Sequence, residues 1–144
     1  MIQICTRFRN NFSRKLAVFC SDERFIKASL EFLNKRLNIK HCDLMVIPGG
    51  PVFIINKERN LLNRLKLLVS IHKISYIILF SHSDCGFYKN KYQISNSNML
   101  LKQQVKDIKN CQLQLNKMFP QIIVKSFYVS YDKKKISFKH IKPE

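Results

Sequence analysis

Three short apolar runs in the first two thirds of the chain predict buried β-strands. They cover residues 15–20, 43–47 and 75–81, and the third run is almost continuously apolar. A strand without polar alternation is typical of a parallel sheet that is covered on both faces. Two later runs, 122–131 and 136–141, are separated by a lysine-rich turn and predict a closing hairpin.

Amphipathic segments between these runs predict three helices, because apolar side chains recur there at spacings of three and four. The stripes are Ile26, Leu30, Leu33 and Leu37 in the first helix, Leu61, Leu65, Leu68 and His72 in the second, and Leu101, Val105, Ile108, Cys111, Leu115 and Met118 in the third. The second helix is expected to start at Asn56 or Asn60, and Pro120 stops the third. Residues 88–98 are polar and predict a loop.

The order strand, helix, strand, helix, strand, helix and two strands predicts the fold class α/β. We expect a mostly parallel central sheet with helices on its faces and a short antiparallel C-terminal hairpin at its edge. The length suits one hydrophobic core, so residues 1–144 are expected to form a single domain. Residues 1–14 are polar and basic without clear periodicity, and they can form a short N-terminal arm.

Candidate metal ligands follow two of the predicted strands. Cys20 ends the first strand, and His82 and Cys85 come directly after the third. In such sheets the binding crevice lies outside the carboxyl ends of the strands, which brings these residues to one edge. Two thiolates and one imidazole are a zinc ligand set that leaves the fourth tetrahedral position free. The alternative is two buried cysteines and a core histidine, because free cysteine is commonly buried.

These residues lie in two motifs that resemble those of the β-class carbonic anhydrases. The first motif, C-x-D-x-R, and the second, H-x-x-C-G, occur here as Cys20, Asp22 and Arg24, and as His82, Cys85 and Gly86. The resemblance covers roughly residues 15–90 and includes a glycine turn at Gly49-Gly50. Each motif alone is a weak signal, whereas the two together at matching strand ends are specific.

The resemblance implies that Cys20, His82 and Cys85 bind Zn²⁺ and that the protein catalyses reversible hydration of CO2 to bicarbonate. It also implies that Arg24 pairs with Asp22 and keeps this carboxylate off the metal. Asp22 is then a candidate hydrogen-bond acceptor for the reacting hydroxide and a displaceable fourth ligand. The alternative for these two residues is a helix cap and a solvated arginine. Family members work as dimers and multiples of dimers, so a homodimer is expected.

The chain departs from the family after the second predicted strand. Residues 47–50 read Ile-Pro-Gly-Gly, where the family typically has arginine, asparagine, alanine and glycine. The segments before Cys20 and after the third helix are also short for the family, so the chain is interpreted as a trimmed or divergent member.

Two alternatives to CO2 hydration stay open. One is a zinc hydrolase of a CO2 analogue such as COS or CS2 on the same scaffold. The other is a non-catalytic zinc domain whose basic surface binds nucleic acid or an acidic partner.

The formal net charge of +17 is not explained by the resemblance. Such a surface attracts anions and can bind nucleic acid nonspecifically. We favour the interpretation that the lysines are scattered over solvated faces. Aromatic residues do not interleave with the basic ones, as a surface that stacks nucleic-acid bases requires.

The sequence also bears on the compartment of the protein and on its association with membranes. No apolar run reaches the roughly 18 residues of a membrane span, and no apolar region follows the basic N-terminus as in a secretory signal. The five cysteines are an odd number, which favours a reducing cytoplasm over a disulfide framework.

Overall fold

Five strands form one sheet at the centre of the computed structural model, which describes residues 1–143. The strands are β1 Lys15–Phe19, β2 Asp43–Val46, β3 Tyr76–His82, β4 Ile123–Asp132 and β5 Lys135–Ile141. Their order across the sheet is β2-β1-β3-β4-β5. The first four strands are parallel, and β5 pairs antiparallel with β4 at the edge. The predicted α/β fold class with its C-terminal hairpin is therefore confirmed. The expected single domain 1–144 ends at Glu144, which lies outside the described residues.

Helices connect the parallel strands and cover both faces of the sheet. They are α1 Glu23–Lys35, α2 Arg59–Ile71, α3 Gly86–Tyr92 and α4 Ser97–Met118, with a 3-10 helix at Gly50–Ile54. Alternate side chains of a strand point to opposite faces. Leu16 and Ile77 therefore pack with α2 and α4, whereas Ala17 and Ile78 pack with α1. In the described part of the chain, no helix combines the length and apolar character needed to cross a bilayer.

Two details of the helix prediction are wrong. Residues 86–92 form α3, although residues 88–98 were expected to be a loop. This helix has no apolar stripe of its own, and it is held by burial of Tyr88 against α4. The buried face of α1 is carried by Phe25, Ser29 and Leu33, so the helix is rotated from the predicted stripe and Leu30 is 40% exposed.

The third predicted stripe also differs from the buried face that α4 presents. Its buried side chains are Leu100, Gln104, Asp107, Ile108, Cys111, Gln112 and Leu115. Leu101 is instead 39% exposed. Three polar side chains are therefore buried, and each finds a hydrogen-bond partner: Gln104 and Gln112 donate to strand carbonyls, and Asp107 accepts from Tyr88 of α3. Because the helix satisfies polar groups in the core, the apolar pattern alone misplaces its inner face.

Candidate metal centre

The carboxyl ends of β1 and β3 bring Cys20, His82 and Cys85 together. Cys20 directly follows β1, His82 is the last residue of β3, and the two strands are parallel neighbours. Cys85 follows at the N-terminus of α3 after a two-residue turn in which Asp84 has φ 58°. All three side chains are buried, with 9%, 4% and 1% of their residue surface exposed. The strand ends thus deliver three side chains that are typical zinc ligands into one dry pocket.

The distances between the side chains suit a metal ion. The Cys20 and Cys85 sulfurs are 3.9 Å apart, and one ligand atom from each of the three residues lies within 4.8 Å of the others. Two thiolates bound tetrahedrally to zinc at 2.3 Å place their sulfurs about 3.8 Å apart. The two sulfurs therefore already stand near the separation that a zinc ion requires.

The imidazole of His82 is oriented as a metal ligand would be. Its Nδ1 lies 2.7 Å from the carbonyl oxygen of Ser83, which can only accept, so Nδ1 carries the proton. The other ring nitrogen, Nε2, is buried and has no hydrogen-bond partner in the described residues. A buried polar atom without a partner is costly. A metal ion between Nε2 and the two sulfurs removes that cost, so the three residues fit a bound cation.

A glycine turn closes the pocket beside Cys20. The backbone N–H of Gly49 donates to the Cys20 sulfur at 3.4 Å. Gly49 has φ +83°, and a Cβ there would lie 2.5 Å from the Phe87 ring. A Cβ on Gly50, at φ +59°, would lie 3.0 Å from the backbone nitrogen of Cys20. The two glycines are therefore needed both for the backbone conformation and for its close approach to the sulfur.

The two thiols differ in acidity. The hydrogen bond from Cys85 lowers the pKa of Cys20 well below its ordinary value, outweighing burial, and His82 and the Gly49 N–H act in the same direction. The neighbouring Cys20 sulfur and burial raise the pKa of Cys85, since they disfavour a second negative charge. A bound dication would favour the thiolate form of both cysteines.

Arg24 joins the two ligand-bearing segments at the surface. Its Nη2 donates to Asp22 Oδ2 at 2.6 Å and its Nε to Asp22 Oδ1 at 2.9 Å, while its Nη1 donates to Asp84 Oδ2 at 3.0 Å. Asp22 also caps α1 by accepting from the backbone N–H of Arg24. The Arg24 guanidinium lowers the pKa of Asp22, and Lys89 followed by Arg24 lowers the pKa of Asp84. Both carboxylates therefore stay ionised well into the acid range.

Apolar side chains surround the thiols of Cys20 and Cys85, and a more polar cavity lies beside the turn formed by Ser83 and Asp84. Val52, Tyr88 and Leu100 form one buried cluster with Cys20 and Cys85. The cavity has a volume of about 290 Å³ and is lined by Ser83, Asp84, Lys89, Ser95, Ser97, Leu100, Tyr128 and Tyr131. A cavity with several hydroxyl groups therefore lies next to the apolar cluster that holds the thiols, and Leu100 belongs to both.

Residues 10–140 match the family model described as "Putative carbonic anhydrase". The chain belongs to this family. A relative from Rickettsia bellii (strain RML369-C), described only as an uncharacterized protein, is 23% identical over 131 residues, which are 85% of this chain and 79% of the relative.

Solved β-carbonic anhydrases share the fold at low sequence identity. CafA of Aspergillus fumigatus is similar with a TM-score of 0.61 at 9% identity, over 93% of this chain and 78% of that one. A tetrameric enzyme of Sordaria macrospora has a TM-score of 0.57 at 13% identity, over 90% and 81% of the two chains. Isoform I of Trichomonas vaginalis has a TM-score of 0.55 at 16% identity, over 92% and 86%. The family and the fold are thereby established, as the two motifs predicted.

All five site residues that the sequence singled out lie at the same edge of the sheet. Cys20, His82 and Cys85 converge, and Asp22 and Arg24 pair beside them. Cys111 is fully buried in the core, as its place on the α4 stripe predicted.

Sequence reasoning missed the side chains that support these residues from within. Gln104 donates to the His82 carbonyl oxygen at 2.9 Å, and Tyr88 donates to the buried Asp107 at 3.1 Å. The sequence did contain a signal that Gln104 is buried, because residues 104, 108, 111 and 115 recur at helical spacing. A glutamine on an apolar stripe indicates a buried amide that needs a partner.

Proposed function

We propose that this carbonic anhydrase family member binds Zn²⁺ through Cys20, His82 and Cys85 and catalyses reversible hydration of CO2 to bicarbonate. The observation that carries the proposal is the convergence of two sulfurs and the unpartnered His82 Nε2 in one buried pocket. Three protein ligands are the number found in catalytic zinc sites, whereas structural sites use four.

When bound with an open fourth position, zinc lowers the pKa of a water molecule toward neutrality and so makes hydroxide available. Backbone groups prepare two of the three candidate ligands in this chain. The Ser83 carbonyl fixes the tautomer of His82, which leaves Nε2 free to bind the metal. The Gly49 N–H stabilises negative charge on the Cys20 sulfur.

Asp22 and Arg24 supply the acid–base and gating groups in this proposal. The Asp22 side chain is 16% exposed, and its carboxylate can accept the hydrogen bond that orients the reacting hydroxide. Arg24 occupies both carboxylate oxygens of Asp22 and so holds it away from the metal. If that pair opens, Asp22 becomes a fourth ligand and blocks the site.

The wall beside the thiols suits a small nonpolar substrate. Val52 and Leu100 are 1% and 2% exposed, and both pack with Cys20 and Cys85. Apolar side chains next to the reacting position accept CO2 without competing for its oxygens, and they exclude excess water.

Zinc content together with stopped-flow CO2 hydration between roughly pH 7 and 9, where such a water titrates, tests the proposal. One zinc per chain with activity that rises with pH is the expected result. One zinc without CO2 hydration would contradict the reaction, and assays with COS, CS2 and random DNA at increasing salt would then separate the remaining functions. Absence of zinc would contradict the metal site itself.

We also propose that the protein assembles as a homodimer or a multiple of dimers in a reducing cytoplasm. Four apolar side chains near the N-terminus are between 84% and 115% exposed, namely Met1, Ile2, Ile4 and Phe8. A partner subunit that covers them would bury apolar surface. All five cysteines are free thiols, which suits a reducing compartment. Light scattering of the purified protein measures the assembly, and a monomer at micromolar concentration would contradict it.

A further inference from the structure

We infer that Gln104 of α4 is a positioning residue for the candidate metal centre, an inference that rests on the metal site of the proposed function. Gln104 is 1% exposed, and its Nε2 donates to the carbonyl oxygen of His82 at 2.9 Å. It is thus a buried polar side chain that reaches across from a helix to the backbone of a candidate ligand.

The Gln104 amide has a second buried partner. The Tyr128 hydroxyl of β4 donates to Gln104 Oε1 at 3.3 Å. Burial raises the pKa of Tyr128 to about 12, so the phenol keeps its proton and donates. Because the His82 carbonyl can only accept, the Nε2 group of the Gln104 amide must face it, and Oε1 of the same amide then accepts from Tyr128.

The hydrogen bond from Gln104 acts on the candidate metal site through one peptide group. The oxygen of the peptide between His82 and Ser83 accepts from Gln104, and the N–H of that peptide donates to the Val129 carbonyl at 2.8 Å. The next carbonyl, that of Ser83, receives His82 Nδ1. Gln104 therefore fixes the peptide plane from which both the imidazole and the turn to Cys85 are oriented, as outer hydrogen bonds do at metal sites.

The competing explanation is an ordinary satisfied glutamine in the core, and α4 contains a second one for comparison. Gln112 is 4% exposed, its Nε2 donates to the Val124 carbonyl at 2.9 Å, and its Oε1 accepts from the Ser126 hydroxyl at 2.8 Å. The two glutamines share helix, burial and bonding pattern. They differ in that Gln112 contacts the early part of β4, whereas Gln104 contacts a candidate ligand.

The test compares Gln104→Met with Gln112→Met in the full chain. Each methionine keeps the length of the side chain and removes its polar atoms. Binding of Zn²⁺ and Co²⁺ is measured by chelator competition, the absorption spectrum of the Co²⁺ form reports ligand geometry, and urea unfolding of the metal-free forms reports stability.

We expect both variants to lose stability to a similar extent. Only Gln104→Met should weaken metal binding, by about 10- to 100-fold, and alter the Co²⁺ spectrum. Equal metal affinities and identical spectra for the two variants would overturn the inference while leaving the proposed metal site intact. Absence of metal binding in the unaltered protein would overturn both.

A milder variant covers the case in which Gln104→Met does not fold. Tyr128→Phe removes only the hydroxyl that orients the Gln104 amide. It should weaken Zn²⁺ binding in the same direction by a smaller factor and shift the Co²⁺ spectrum. An unchanged affinity and spectrum in a folded Tyr128→Phe protein would count against the positioning role.

Discussion

The two segments that carry the candidate ligands are held in the molecule by opposite means. Residues 20–24 leave β1 at the surface, where Arg24 is 52% exposed and forms ion pairs with Asp22 and Asp84. Residues 82–88 are held from inside by α4, through Gln104 at the His82 carbonyl and through Tyr88 at the buried Asp107. The surface end of the first segment, at Asp22 and Arg24, is held by exposed charges, whereas the second segment is held mainly from the core, and its Asp84 shares the ion pair with Arg24.

This difference indicates which part of the site can move. An exposed ion pair contributes between about 0 and 1 kcal/mol, whereas breaking a buried hydrogen bond such as that from Gln104 to the His82 carbonyl leaves polar groups unsatisfied at a cost of about 1–3 kcal/mol. We therefore expect His82 and Cys85 to keep their positions while the contact of Asp22 with Arg24 opens and closes. A carboxylate on the weakly held segment can then approach or leave the metal without unfolding the protein.

The largest effect is expected from Cys85→Ser, in the rigid segment. Removing this sulfur should abolish zinc binding and CO2 hydration and destabilise the fold, because a buried ligand is lost and its partner Cys20 is left unpaired. Zinc content and thermal unfolding measure the change. Cys42→Ser is the control, since Cys42 lies outside the pocket and should leave zinc unchanged. Unaltered zinc content in Cys85→Ser would contradict the ligand assignment.

A smaller effect is expected from Asp22→Ala, in the exposed segment. Zinc should remain bound, while kcat for CO2 hydration falls by about 10- to 100-fold because the group beside the metal is lost. Metal analysis and stopped-flow kinetics on the same sample test both statements.

Asp22→Asn separates the charge from the helix cap, since asparagine caps a helix as well as aspartate. We expect Asp22→Asn to be as slow as Asp22→Ala. Full activity in Asp22→Asn would mean that capping α1 is the whole role of this residue.

The internal support is probed by Tyr88→Phe. Losing the hydroxyl that donates to Asp107 should lower the free energy of unfolding by about 1–3 kcal/mol, because this buried side chain loses a donor, while Gln103 still donates to it among the described residues. Urea denaturation of the metal-free protein measures this. Tyr92→Phe, at a half-buried residue of the same helix, should have less effect, and equal losses would argue against a special contribution of the Asp107 contact.

The smallest effect on stability is expected from Arg24→Gln, which removes the exposed ion pairs. At pH 7 the free energy of unfolding should fall by about 1 kcal/mol or less. Arg24 lowers the folded-state pKa of Asp22, so its contribution is present above the unfolded value near 4 and is lost as the pH falls through the folded value. The difference between the two proteins should therefore vanish under strongly acidic conditions. A difference that persists once Asp22 is protonated in both the folded and the unfolded state would contradict this origin.

The two ligand-bearing segments also differ in how much of their structure could be predicted from the sequence. The contact of Arg24 with Asp84, 60 positions away, was missed, and the pairing of Arg24 with Asp22 came from the family resemblance; only the helix start at Asp22 was predictable from neighbouring residues. The internal support was not, because Gln104 and Asp107 act on residues 19 or more positions away in the chain. Residue spacing reports local periodicity, and it contains no information about which distant backbone group a buried amide will meet.

The sequence by itself determined the order of strands and helices, the parallel sheet and the strand ends at which Cys20, His82 and Cys85 lie. It could do so because hydrophobic periodicity and turn residues act over a few positions. Only the tertiary structure decided the rotation of α1 and α4, the helical state of residues 86–92 and the burial of Gln104, Asp107 and Gln112. Those features depend on hydrogen bonds formed between elements, since a polar side chain enters the core only where another element supplies its partner.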